Sequence, residues 1–300
     1  MAKKKYKRKH YRTSSPTGLQ ILIREFLKDK LALFSLFSLA FVIIGVFVWG
    51  YYFIDQETLM RISLSDSYAK PGGEFLLGAD QGGKDIFGQM IIGAKNSIFI
   101  AISITLITGV FGVIVGLICG YYGGWIDQLL MRVIDFFITI PSLMLIIVFV
   151  TIVPKYTVGA FIVIMSLFLW TGTARLVRSK TLSESKRDYV LASKTLGTSD
   201  FVIIVREILP NLSSIIIVEF TLNFAGNVGI ETGLSYLGFG LPMTTPSLGT
   251  LVSHANNPLV LQQYWWVWLP ASLLILFMML AINYVGQALR RSADARQRLG

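Results

Sequence analysis

The chain has 300 residues, of which 54% are hydrophobic and 15% charged, and its net charge is +10. A soluble globular domain is about 25% charged, so this composition excludes an ordinary soluble enzyme or binding module. A single cysteine, Cys119, excludes a disulfide framework and a thiolate metal cluster, and reads as a small packing residue.

The basic run Lys3-Lys4-Lys5-Tyr6-Lys7-Arg8-Lys9 precedes the first apolar segment. Beside a membrane span these cations meet anionic lipid headgroups rather than nucleic acid. Residues 19–30 read as an amphipathic interfacial helix. No Asp, Glu, Lys or Arg occurs from Leu31 to Ile54, from Asn96 to Ile126, or from Thr232 to Leu289. Phe136–Pro154 and Tyr156–Ala174 are separated only by Lys155, and Ile208–Ile230 carries only Glu219. A helix needs roughly 20 apolar residues to cross the hydrocarbon core. The runs therefore predict an all-α integral membrane protein with six spans, at 31–54, 98–120, 133–153, 157–173, 210–229 and 266–289. Between the last two, Thr232–Pro258 is dense in Gly and Pro and predicts loop with short re-entrant pieces.

With a cytoplasmic N-terminus, 22 of the 27 Lys and Arg fall inside and five outside, as the positive-inside rule requires. Both termini are then cytoplasmic. The long loop at 172–211 faces the same side and reads as a helix–Gly–helix elbow. Tyr189–Leu196 is helix-competent, Gly197 stops it, and Thr198-Ser199-Asp200 can cap a second helix that meets Pro210 where span five begins. Such an elbow can present a knob to a partner; the same residues would also serve as a plain connector.

Glu219, Asn223 and Asn227 recur every four residues in span five and share one helical face. An ionisable group inside a span marks a pathway, or packs against a partner subunit. Trp265, Trp266 and Trp268 read as an interfacial aromatic belt. His254 has no acidic neighbour in sequence and reads as an ordinary loop residue, with no metal site.

Tyr189–Asn211, with Ala192, Gly197 and Leu209-Pro210, resembles the EAA loop of permease subunits in binding-protein-dependent ABC importers. From about residue 20 onward the chain resembles the peptide-importer permeases of the second, C type. Leu77-Gly78-Ala79-Asp80-Gln81-Gly82-Gly83-Lys84-Asp85 with Gly93–Ser97 matches the segment before span two. Gly120–Asp127 through Met131-Arg132, Asp135 and Pro141 matches a second stretch, Gly233–Gly240 with Pro246–Gly249 a third, and Asn283–Arg290 a fourth. Leu191 stands where the EAA pattern has Glu, Ser193 where it has a second Ala, and Gln287 where the closing motif has Asp.

The resemblance implies a type I ABC importer transmembrane domain in a bacterial plasma membrane. It implies a second permease subunit, two ATPases and an extracytoplasmic peptide-binding protein as partners. Leu191, Ala192, Ser193, Gly197, Leu209 and Pro210 would couple the permease to the ATPases. The chain lacks a Gly-x-x-x-x-Gly-Lys-Ser/Thr loop, so ATP and Mg would be held by the ATPases and this subunit would need no cofactor. Residues 1–30 would be the tail and interfacial helix, 31–95 the first span and outer loop, 96–289 the core permease unit, and 290–300 a cytoplasmic tail. Nickel or another small solute is the alternative cargo. An autonomous channel or secondary transporter is the alternative class, although the internal symmetry and multiple buried charges it would usually need are absent. A membrane-embedded enzyme finds no assembled nucleophile–base pair or metal cluster.

Overall fold

A computed structural model describes residues 23–153, 157–242 and 244–297, and among these the regular structure is helical apart from two isolated β-bridges at Gly72–Phe75 and Ala79–Asp85. The basic run, residues 19–22 of the expected interfacial helix, and Lys155 lie outside the described residues; residues 23–26 form a single helical turn. The helices used below are α1 (Lys30–Tyr52), α2 (Ile86–Tyr122), α3 (Gly124–Thr139), α4 (Ser142–Ile152), α5 (Val158–Leu169), α6 (Thr171–Glu184), α7 (Asp188–Thr195), α8 (Asp200–Ile203), α9 (Leu209–Tyr236), α10 (Leu248–Ser253), α11 (Pro258–Gln263) and α12 (Trp265–Gln297).

Among the described residues, five helical stretches are long and apolar enough to cross a membrane, and the bent pair α3–α4 makes a sixth if counted as one span. The pair covers most of the span expected at 133–153. It bends by 80° at Ile140-Pro141, because proline has no N–H to donate and its ring blocks the preceding turn. α2 has 37 residues, about 55 Å of helix against a hydrocarbon core of about 30 Å. It begins twelve residues before the expected position of 98 and runs through the boundary drawn at 95–96. Charge spacing hid this start, because Lys95 is only half-buried and lies within the helix.

A second correction concerns residues 172–211. α5 and α6 form one 27-residue stretch, Val158–Glu184, so much of the expected loop is a continuation of span four. The helix after the elbow meets Pro210 as expected and runs on into span five without a break. α8 passes through a π-turn, Ile204–Ile208, directly into α9. A widened turn just before Pro210 gives room where a proline ring would strike a carbonyl one turn back.

The tightest helix contact is α2 on α6. Gly112, Gly116 and Gly120 lie one turn apart on α2, and α6 backbone occupies the space a side chain would need. A Cβ at Gly116 would lie 2.8 Å from the Ala174 carbonyl oxygen and 2.7 Å from Val177 Cβ. Small residues at this spacing let helices approach closely where lipid offers no hydrophobic drive for association. Arg178 and Arg175 of α6 then pair with Asp127 and Asp135 of α3. At the chain's other seam, Asp29 caps α1 through the Ala32 N–H (3.1 Å) and pairs with Arg291 of α12 at 2.8 Å. The Ala32 N–H, then Arg291, hold the Asp29 carboxyl below its usual range. This pairing places the start of α1 and the end of α12 on one side.

The outer loop is built on Asp80, which is buried. Its Oδ1 accepts from the Gly82 and Lys84 N–H groups (2.8 and 3.0 Å), and its Oδ2 from Gln89 Nε2 (3.0 Å). Trp266 is buried too, donates from Nε1 to the Ala79 carbonyl (3.3 Å), and so is no lipid-facing belt residue; Trp265 is exposed. Tyr68 and Tyr264 stack with centroids 3.9 Å apart. His254 is likewise less isolated than its sequence neighbours suggest. It feels the charges of Asp80 and Lys84, and burial pushes its imidazole pKa down.

Candidate functional site

The elbow is fixed by local chemistry. Gly197 has φ +80°, a conformation that residues with a Cβ avoid. Around it the Thr198 N–H donates to the Ser193 carbonyl (3.1 Å) and the Gly197 N–H to the Lys194 carbonyl (3.0 Å), the Schellman pattern that ends a helix. Val190 of α7 is fully buried among Ile203, Ile208, Leu212 and Tyr121. Ser193 Oγ donates to Glu207 Oε1 at 2.7 Å. Tyr189 Oη donates to Glu184 Oε1 (2.8 Å) and accepts from Asn211 Nδ2 (3.0 Å). Burial, then the Glu184 carboxylate, pushes the Tyr189 phenol up to about 12. Tyr121 at the end of α2 donates to Asp200 Oδ1 (2.6 Å), with Lys194 4.6 Å above its ring. The elbow is thus tied by hydrogen bonds and packing to α2, α6 and α9.

Of the six residues expected to couple, Leu191, Ala192 and Gly197 face outward, and Pro210 is exposed within the continuous helix. Ser193 is half-buried and turned toward Glu207, and Leu209 packs against the Val190 cluster. Two residues that the motif reading passed over are also exposed: Leu196 is 85% exposed and Phe201 73%. Two large apolar residues flanking a helix-stopping glycine, within an otherwise charged loop, were the available signal.

The polar stripe of α9 divides. Asn223 Nδ2 donates to Thr173 Oγ1 (3.0 Å) and to Glu219 Oε1 (3.3 Å), and all three residues meet between α9 and α6. Asn227 is buried, and its amide donates to Thr105 Oγ1 of α2 at 2.8 Å. The expected single pathway face is therefore two sites: a half-buried pair, and an internal bond between helices.

The sequence reading also missed Glu231, which is fully buried near the C-terminal end of α9. Ser97 Oγ donates to its Oε2 (2.9 Å) and Ser235 Oγ to its Oε1 (3.0 Å). Ser97 Oγ in turn accepts from the Leu248 N–H (3.1 Å), and Asn96 Nδ2 donates to the Pro246 carbonyl (2.8 Å). These bonds hold the segment at Pro246 and the start of α10 against α2 and α9. Among the described residues, no three of His, Cys, Asp and Glu converge as metal ligands would.

Residues 112–299, from the middle of α2 through the elbow and beyond, match the family described as "Binding-protein-dependent transport system inner membrane component". The chain belongs to that family. It is a multi-pass protein of the bacterial plasma membrane, with the all-helical permease domain of type I ABC importers. The chain is 50% identical over 274 residues to the oligopeptide transport system permease protein OppC of Lactococcus lactis subsp. lactis, covering 91% of this chain and 93% of that one. It is 33% identical over 275 residues to the dipeptide transport system permease protein DppC of Bacillus subtilis, covering 92% and 85%. An OppC protein of Mycobacterium tuberculosis is 32% identical over 289 residues, covering 93% and 94%.

Proposed function

We propose that this permease is one of two membrane subunits of an ATP-driven, binding-protein-dependent importer of peptides. The observation that carries the reading is half-identity with an oligopeptide permease over nine-tenths of both chains. The similar proteins cited above are all peptide permeases, which favours peptides over nickel or another small solute. The exposed surface of Leu191, Ala192, Leu196 and Phe201 docks on an ATPase subunit, which binds ATP and Mg and supplies the energy. The seam is apolar where the EAA pattern places a Glu, so its contact is formed by burial rather than by an ion pair. A second permease closes the route, which Glu219 and Asn223 border, and a peptide-binding protein delivers cargo to the outer loops. Reconstitution tests this. Peptide uptake into vesicles should require both permeases, both ATPases and binding protein together. ATP hydrolysis by this subunit alone would contradict the assignment.

The cation partition and the Asp29–Arg291 pair support the finer topology of this reading: six spans, with α3–α4 as one, and both termini in the cytoplasm. Cysteine at the exposed Glu74 should react with an impermeant thiol reagent in intact cells. Cysteine at the exposed Lys186 should react only after permeabilisation. The native Cys119 is buried and should contribute little background. The reverse labelling pattern would invert the scheme.

A further inference from the structure

A cavity of about 250 Å³ opens between the inner halves of α6, α9 and α12. Its charged lining is Lys180, Arg290 and Glu219, and its walls include Leu176, Val218 and Leu222. Neither Lys180 nor Arg290 has an ion-pair partner among the described residues. Both bonds to Glu219, from Thr173 and Asn223, reach Oε1; among the described residues no donor reaches Oε2. The cavity thus offers two unpaired cations, a carboxylate oxygen with accepting capacity, and an aliphatic wall. Drug-sized ligands fill roughly 300–1,000 Å³, so this space fits one end of a peptide rather than a whole oligopeptide.

We infer that the cavity receives the C-terminal residue of the transported peptide. Lys180 and Arg290 take its α-carboxylate, Glu219 Oε2 accepts its backbone N–H, and its side chain lies on Leu176, Val218 and Leu222. Every peptide with a free C-terminus carries that carboxylate and, unless it ends in proline, that N–H, so the polar groups of the site read backbone rather than sequence. A phospholipid headgroup suits the cavity less well. Its phosphate would meet the same cations, but it brings no side chain to lie on the aliphatic wall of Leu176, Val218 and Leu222.

This inference rests on the peptide-importer reading, and the test separates the two. The full importer is reconstituted in vesicles and given one labelled alanine tetrapeptide, either as the free acid or as the C-terminal amide. Preference within the external binding protein is common to every permease variant and cancels in the comparison. Charge-assisted hydrogen bonds contribute enough that the Lys180→Ala/Arg290→Ala variant should lower the acid-to-amide uptake ratio about tenfold. The charge-preserving Lys180→Arg/Arg290→Lys variant should retain the parental ratio, which shows that the helices still pack. An unchanged ratio with the alanine variant, or equal slowing of both peptides, overturns the inference. A defect that follows the anionic phospholipid content of the vesicle, whatever the peptide terminus, overturns it in favour of a lipid site. If the parental importer takes up neither peptide, the peptide reading itself fails and the cavity assignment falls with it.

Discussion

Gly116→Leu should remove most of the protein from the membrane. A Cβ at this position would be 2.8 Å from a backbone oxygen of α6 and 2.7 Å from Val177 Cβ, and a leucine adds three more carbons in the same direction. The carbonyl of Ala174 belongs to a helix and cannot rotate away, so α2 and α6 must separate along the seam that Gly112 and Gly120 continue. Overpacking a core costs typically about 1–3 kcal/mol when side chains can adjust. Here the obstacle is backbone, so the cost should reach or exceed the top of that range, against total stabilities of roughly 5–15 kcal/mol. The loss also reaches the elbow, because α6 leads into α7 and Tyr121 at the end of α2 holds Asp200. Membrane abundance and thermal midpoint in detergent should both fall, with Gly116→Ala between parent and Leu. The same substitution at Gly45 of α1 is the control, because a Cβ there meets nothing within 4 Å. Equal abundance of the Gly116 and Gly45 variants would show that the seam does not govern assembly.

Much of the helical plan was legible because charges are expelled from lipid, so their spacing marks the spans. What charge spacing cannot register is where a helix continues beyond the bilayer. Lys95 and Lys180 sit in helices that project past the apolar zone, where charge spacing alone reads loop. Proline has opposite outcomes at two positions. Pro141 divides a run that looked continuous, whereas Pro210 leaves α9 intact because a π-turn precedes it. Gly197 was legible as a helix stop because its chemistry is local. Glu231 was not, because its partners Ser97 and Ser235 come together only on folding, Ser97 from 134 residues away. The outward-facing Leu196 and Phe201 were passed over because the elbow was read through a family pattern that emphasises its small residues. Asn227 shows the converse limit. Helical periodicity assigns it correctly to one face with Glu219 and Asn223, but does not reveal that Thr105 of α2 covers it.

Gly197→Val should leave the permease in the membrane and abolish most of its coupled transport. Nothing lies within 4 Å of a Cβ at Gly197, so the substitution meets no steric obstacle and acts through backbone conformation alone. At φ +80° a side chain with Cβ costs about 1–2 kcal/mol, and a β-branched one tolerates the region least. The chain can relieve that strain by leaving the left-handed region, which breaks the Thr198–Ser193 and Gly197–Lys194 bonds and turns α7 relative to α8. Leu191 and Leu196 would then no longer share a surface with Phe201, while Val190 and the spans beneath keep their packing. Peptide uptake should fall at least about tenfold, since a rigid two-state element transmits only what it holds in register. ATP hydrolysis by the complete importer should lose its stimulation by loaded binding protein. Gly197→Asn is the discriminating comparison. Asparagine also places a side chain in the open space, but it tolerates the left-handed conformation and serves naturally as a helix cap. It should import near the parental rate at equal membrane abundance. Parental uptake by the Val variant, or equal failure of Val and Asn, would mean that the loop merely connects two spans and that coupling to the ATPase runs elsewhere.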